Sequence, residues 1–433
     1  MLLELFLRSN GVSTDTRSIE PGNIFFALKG PSFDGNAYAK MALDKGALHV
    51  ISDDEGNSSL PNCTIVKDAL KALQQLGQDY RKHLGIPIIG LTGSNGKTTT
   101  KELLGAILKE KYKSYNTQGN LNNHIGVPLS LLSMPGDCEI AIIEMGANHM
   151  GEIEELAQIA RPDFGVITNI GLAHLEGFGS EENIAKGKFE LFKYCIDYNK
   201  PVCYIESAAY PVHEMLGEYP HRVKLTSEGC NINGQEVNIR AESLHPAIHF
   251  ELAVNNEKTS ITAHLSGDYN YDNIRLAIAV GIYFGCSAEN IKNGIENYIP
   301  NNNRSQWVTW RDVQVFKDAY NANPSSMAKA IDNFYEQCKE EKMIFVLGGM
   351  KELGDFTSEA HKIIIDQLKQ FRGDYEVFLL GSEWDGLEVG KNYYKYSDKE
   401  SLKSDLFSSL SKGSKVLIKG SRSNQLESIF DEL

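Results

Sequence analysis

The sequence predicts an α/β protein with mainly parallel sheets, divided among two or three domains. Three observations carry that expectation. Short apolar runs alternate with amphipathic, helix-forming stretches along the chain, the pattern of strands joined by crossover helices. Polar and glycine-bearing loops follow the apolar runs, where the carboxyl ends of parallel strands gather ligands. At 433 residues the chain exceeds one ordinary core.

Residues 1–83 read as a small α/β unit, with strands over 24–28 and 47–51 and helices over 38–45 and 70–83. Two polar clusters interrupt it. One holds Ser13, Asp15, Thr16 and Arg17; the other holds Asp34, Gly35 and Asn36. The first reads either as a capped turn, since Ser, Thr and Asp bond their own backbone, or as a hydroxyl-and-arginine site for a phosphate-bearing ligand.

Residues 84–298 are organised around 86–102, IPIIGLTGSNGKTTTKE. An apolar strand leads into Gly93, Ser94, Asn95, Gly96, Lys97, Thr98 and Thr99, and a helix follows. Strand, glycine-bearing turn and helix is the context of a phosphate-binding loop. Backbone N–H groups and the helix N-terminus would cradle the anion. Lys97 would reach the outer phosphates and the Thr98 hydroxyl would face Mg²⁺. Leu91 stands where the general pattern has a glycine. Next comes an amide-rich loop over 116–123, which reads as a self-bonded surface loop. A buried strand over 139–144 ends in Glu144, placed as a magnesium-binding acid. A third strand over 164–168 leads to His174.

An amphipathic helix over 183–194 carries Lys186 and Lys188; spacing alone makes both exposed. Residues 200–262 look strand-rich and carry no chemistry. Asn270 and Asn273, one turn apart before a helix over 274–284, either cap it or face a flat base. A polar break at 300–303 opens a last α/β segment, 299–433. Its strands over 313–316, 344–347 and 415–418 each run into a polar loop. It lacks a glycine-rich dinucleotide fingerprint, so no NAD site is expected.

The hydrophobic fraction of 42% and charged fraction of 23% are those of a soluble globular protein. A net charge of −14 without a basic run argues against nucleic acid as partner. The seven cysteines are scattered, with no C-x-x-C, which suggests free thiols in a reducing cytoplasm. The first ten residues, MLLELFLRSN, are too short an apolar run for a signal peptide. No run reaches the roughly 18 apolar residues of a membrane helix, so no membrane insertion is expected.

Taken in order, TGSNGKTT, EMGA, the histidine of NIGLAH, KGKFE and DAYNANPSSM resemble the Mur ligases over nearly the whole chain. STDTR, NTQGNLNNHIGVP, YNANP and KGSRS are similar to the member that adds D-Ala-D-Ala. The resemblance implies three domains: 1–83 for the UDP-precursor, a central P-loop ATPase domain at 84–298, and a Rossmann-like domain at 299–433. It implies Ser13, Asp15, Thr16, Arg17, Asp34, Gly35, Asn120, Asn122 and Asn123 for the UDP-precursor. Lys97 would lie on the terminal phosphates, and Thr98, Glu144 and His174 around Mg²⁺. Lys188 would be carbamylated and help hold a second ion, which requires a neutral amine and so a depressed pKa. Asn270 and Asn273 would flank adenine, Arg304 and Asp318 would reach the nucleotide, and Tyr320, Asn321 and Asn323 would lie near the dipeptide.

Tyr269 stands where the family usually has His, and Gly349 where it has Asp. The implied activity is an ATP-dependent amide ligation of D-Ala-D-Ala to UDP-N-acetylmuramoyl-tripeptide in peptidoglycan synthesis, through an acyl phosphate. A cytoplasmic monomer acting on these small molecules is expected. The alternatives are a sibling adding a single amino acid, such as the preceding ligase or a folylpolyglutamate synthase, and a P-loop phosphotransferase.

Overall fold

The computed structural model describes residues 2–300 and 303–430. Asn301 and Asn302 of the expected polar break lie outside the described residues. The first sheet is parallel, in the order β1 (Val12–Ser13), β2 (Ile24–Phe26), β3 (His49–Ser52) and β4 (Cys63–Ile65). Helix α1 (Ala69–Leu84) follows. The Asp68 side chain caps it by accepting from the Lys71 N–H, and Gly85 closes it in the left-handed conformation.

The second sheet has six parallel strands: β5 (Ile88–Thr92), β6 (Ser114–Asn116), β7 (Ile140–Glu144), β8 (Phe164–Ile167), β9 (Val202–Ile205) and β10 (Arg222–Leu225). They lie in the order β10-β9-β8-β5-β7-β6. Every residue of β5, β7 and β8 is buried, because helices cover both faces; this is why these runs are apolar without alternation. Helix α2 (Lys97–Lys109) leaves the end of β5, and α3 (Glu181–Asp197) follows β8. An antiparallel sheet of four strands spans β11 (Cys230–Ile232), β12 (Gln235–Ser243), β13 (Ile248–Val254) and β14 (Glu257–Ala263). The strand-rich stretch therefore serves two sheets, and a helix at Tyr210–Leu216 interrupts it.

Helix α4 (Asp268–Tyr283) begins six residues before the expected 274. Asp and Asn side chains normally compete with a helical backbone, but here the two asparagine amides are otherwise engaged. Asn270 Nδ2 donates to Ser266 O at 2.9 Å, and Asn273 Nδ2 to Asn270 Oδ1 at 3.3 Å. The rest of α4 is apolar nearly all round, and it is buried in one core shared by the parallel and antiparallel sheets.

The last sheet runs β15 (Gln306–Trp310), β16 (Val313–Lys317), β17 (Met343–Gly348), β18 (Tyr375–Leu380), β19 (Tyr393–Tyr396) and β20 (Lys415–Lys419). Its order is β15-β16-β20-β17-β18-β19, and only the edge pair β15–β16 is antiparallel. Helix α5 (Pro324–Cys338) follows β16, and α6 (Thr357–Leu368) follows β17. No helix among the described residues is long and apolar enough to cross a membrane.

Candidate active site

The carboxyl ends of β5, β7, β8 and β16 converge on a cavity of about 550 Å³ between the second and last sheets. Its floor is the loop from β5 to α2. Asn95 O accepts from Thr168 Oγ1 at 2.6 Å and from Asn169 Nδ2 at 2.9 Å, and Asn95 N donates to Asn169 Oδ1 at 3.0 Å. The end of β8 thereby fixes the turn. Gly96 has φ +75°, and a Cβ there would overlap the Asn273 side-chain oxygen. That position therefore admits only glycine. Asn273 Oδ1 also accepts from Thr100 Oγ1 at 3.1 Å, so α4 supports the loop from beneath.

Lys97 Nζ donates to Gly93 O at 2.8 Å and to Ser94 O at 3.3 Å. Burial pushes its pKa down, while the Glu144 charge opposes this. Glu144, at the end of β7, is 2% exposed. Its carboxylate accepts from Thr98 Oγ1 at 3.2 Å and from Asn122 Nδ2 at 2.9 Å, and lies 3.4 Å from Lys101 Nζ. Lys101 is 1% exposed and escaped the sequence reading. The available signal was its spacing, four residues after Lys97 and so on the same helix face.

Lys188 is buried, contrary to the exposed position its spacing suggests, while Lys186 is half-exposed and pairs with Glu182 at 2.7 Å. Lys188 Nζ donates to Ala147 O at 3.1 Å and sits 5.1 Å from the Phe178 ring centroid. Burial, with a further push from the Lys97 charge, lowers its pKa to about 7; Glu152 and Glu190 act the other way. His174 is left-handed (φ 56°), and its Nδ1 meets the Glu352 carboxylate of the last domain.

Arg304 lies over the Tyr320 ring, its Cζ 3.8 Å from the centroid. Asp318 accepts from Lys419 Nζ at 2.6 Å and from Ser305 N at 3.2 Å. Tyr269 hydrogen-bonds Ser305 Oγ at 3.0 Å, which ties α4 to the same strand end. Asn321 Oδ1 accepts from Ala322 N at 2.9 Å. Asn323 caps α5, accepting from Ser326 N at 2.9 Å.

One cavity thus gathers Ser94 to Thr99, Asn120, Asn122, Asn123, Glu144, His174, Asn270, Asn273, Arg304, Asp318, Tyr320, Asn321 and Asn323. Lys188 and the first-domain candidates lie outside its lining. In that domain Asp15 pairs with Arg17 at 2.6 Å and accepts from the Arg17 N–H at 2.8 Å. Asp15 N donates to Ser13 Oγ at 3.2 Å, and Thr16 O accepts from Lys45 Nζ at 2.8 Å. This is the geometry of a capped turn. Asp34 caps the turn at Gly35–Tyr38 by accepting from Asn36 N at 2.9 Å.

Three family models match consecutive parts of the chain: the Mur ligase family catalytic domain at 8–92, the Mur ligase middle domain at 91–281, and the Mur ligase glutamate ligase domain at 303–422. The UDP-N-acetylmuramoyl-tripeptide–D-alanyl-D-alanine ligase of Bacillus subtilis (strain 168) is 34% identical over 98% of this chain and 93% of its own length. The chain belongs to the Mur ligase family. Among solved structures, MurF from Acinetobacter baumannii superposes with a TM-score of 0.87 at 27% identity, covering 98% of this chain and 96% of that one. MurF from Thermotoga maritima, in complex with ADP, gives 0.84 at 27% identity, covering 98% and 97%.

Tyr269 and Gly349, where the resemblance leads one to expect His and Asp, have a structural account in this Mur ligase. Tyr269 spends its hydroxyl on Ser305. At Gly349 a Cβ would overlap the Glu383 carboxylate, which itself pairs with Lys351. Glu383 lies in the turn at Ser382–Trp384 that follows β18, and its carboxylate occupies the space beside Gly349.

Proposed function

We propose that this chain is an ATP-dependent ligase that joins D-Ala-D-Ala to UDP-N-acetylmuramoyl-tripeptide. The observation that carries the reading is the single cavity holding the phosphate loop, Glu144, and the Tyr320–Asn323 loop of the last domain. A nucleotide's outer phosphate and an amine brought in by the last domain would meet there.

A carboxylate is a poor electrophile because an attacking amine must expel oxide. Transfer of the γ-phosphoryl group of ATP to the tripeptide carboxylate makes an acyl phosphate and ADP. The free amine of the dipeptide then attacks the carbonyl carbon, losing a proton, and phosphate leaves as the amide forms. Lys97, turned from Gly93 O and Ser94 O to the nucleotide, would balance charge on the transferring group. Arg304 and Asp318 would hold the nucleotide between the domains. Asn120 and Asn123 would face the precursor.

The Thr98 hydroxyl and Glu144 carboxylate are hard oxygen donors of the kind Mg²⁺ takes beside substrate phosphates. Mg²⁺ bound there would supply charge neutralisation. Lys188, dry and kept near neutrality by its surroundings, would add CO₂ as a carbamate with release of a proton. Intact-mass or ¹³C-NMR measurement with labelled bicarbonate checks that step; no labelled adduct would refute it.

Phosphate release is the test of the main reading. It should require ATP, the UDP-linked tripeptide and D-Ala-D-Ala together. Turnover with a single amino acid in place of the dipeptide would favour a sibling ligase. Turnover without any amine would favour a phosphotransferase.

A further inference from the structure

The side chain of Asn95, in the phosphate loop, hydrogen-bonds the last domain. Its Oδ1 accepts from Asn323 Nδ2 at 2.8 Å, and its Nδ2 donates to Ser325 Oγ at 3.0 Å. Ser325 Oγ in turn donates to Asn323 Oδ1 at 3.1 Å, closing a ring of three side chains. The backbone of Asn95 is separately held by Thr168 and Asn169. The side-chain amide is therefore committed to the N-terminus of α5 alone.

Asn323 is correspondingly occupied. Its Oδ1 already accepts from Ser326 N and Ser325 Oγ, and one of its two N–H donors goes to Asn95. A side-chain amide offers two donors and two acceptor sites, so one donor remains for a dipeptide.

We propose that Asn95 and Asn323 are positioning residues that couple the phosphate loop to the dipeptide loop. Docking of the last domain sets the Asn95 side chain, and through it the loop that faces the γ-phosphoryl group. Phosphoryl transfer is then favoured only when the amine-binding loop is in place, which protects an acyl phosphate from water. The coupling needs no ligand contact from Asn95.

This inference rests on the ligase reading, so wild-type turnover with all three substrates is measured first; its absence would count against that reading and not against the coupling. Asn95→Ala removes both amide bonds. Asn323→Ser keeps a capping hydroxyl for α5 but is too short to reach Asn95. Asn323→Ser should lower kcat about tenfold, the scale of one lost hydrogen bond, and Asn95→Ala at least as much, since it loses two. The double variant should fall no further than Asn95→Ala alone, because the interdomain bond that Asn323→Ser breaks is already lost there. The KM for ATP should change less than kcat, since Thr168 and Asn169 still hold the loop backbone at position 95.

A second readout is the distance between spin labels on the central and last domains, with a non-hydrolysable ATP analogue and the tripeptide bound. The distribution should broaden alike in single and double variants. Multiplicative losses of about a hundredfold in the double variant, or single variants with wild-type kcat, would overturn the coupling.

Discussion

Lys186 and Lys188 are two residues apart on α3 and share one sequence signal, yet one is half-exposed and the other is sealed against Ala147 and Phe178. Helical periodicity puts them on different faces, but only tertiary packing decides which face is dry. An unmodified Lys188 titrates near 7 in the fold against an ordinary value of 10.5, with burial and Lys97 depressing it and Glu152 and Glu190 opposing them. The unfolded chain then binds more protons between those values, so stability rises with pH from 7 to 10.5, and the cost is fully present below 7. Lys188→Met removes that cost. In bicarbonate-free buffer at pH 7 its urea midpoint should exceed the wild type by a few kcal/mol equivalent, each pKa unit being worth about 1.4 kcal/mol. The gain should vanish near pH 10.5, and ligase activity should be lost. Lys97→Ala should cut kcat by at least about 10²–10³-fold with an unchanged circular dichroism spectrum; near-normal turnover would exclude the phosphate-loop role.

Strands such as β5, β7 and β8 were legible in the sequence because burial on both faces leaves polar residues only at their carboxyl ends, Thr92 and Glu144. Their carboxyl ends were legible too, so the sequence places Lys97, Glu144 and His174 along one edge, and all three line the cavity. The start of α4 was not, because Asp268 to Asn273 look like a loop until Ser266 engages Asn270 and Thr100 engages Asn273. Lys101 and Glu352 also escaped: spacing puts Lys101 on the face of Lys97 but does not show that it is buried against Glu144, and a domain-crossing acid carries no local pattern. The packing of α2 on α4 makes a specific demand at Gly96, where a positive φ and the Asn273 oxygen both exclude a side chain. Gly96→Ala should destabilise by about 1–3 kcal/mol. Adding Asn273→Ala should recover the overlap part but not the φ part, a non-additive pair readable in urea titrations. Full additivity would mean that the two helices do not share this contact.

At the scale of the molecule the two domain junctions differ in kind. The first domain meets the central one through α1, where Tyr80 is 5% exposed, packs on Phe6 and donates to Met134 O at 2.9 Å, and where Arg81 pairs with Asp163 at 2.5 Å. The last domain meets the central one through a ring of polar groups around the cavity, beside buried apolar residues that continue the central core. His174 faces Glu352, Glu176 N donates to Glu352 O at 3.1 Å, and Gln337 Nε2 donates to Ser266 Oγ at 3.2 Å. Polar junctions reform readily with water, whereas an apolar one must expose its core to open. The last domain should therefore be the one that moves. Distance distributions between paired labels should be narrow across the first junction and broad across the second, and a bound ATP analogue should narrow only the second. Glu352 is half-exposed, so Glu352→Ala should cost no more than about 1 kcal/mol of closure, shifting the distribution without abolishing the closed state. A broad first junction, or a second junction indifferent both to nucleotide and to Glu352→Ala, would contradict this division between a fixed substrate platform and a mobile amine-delivering domain.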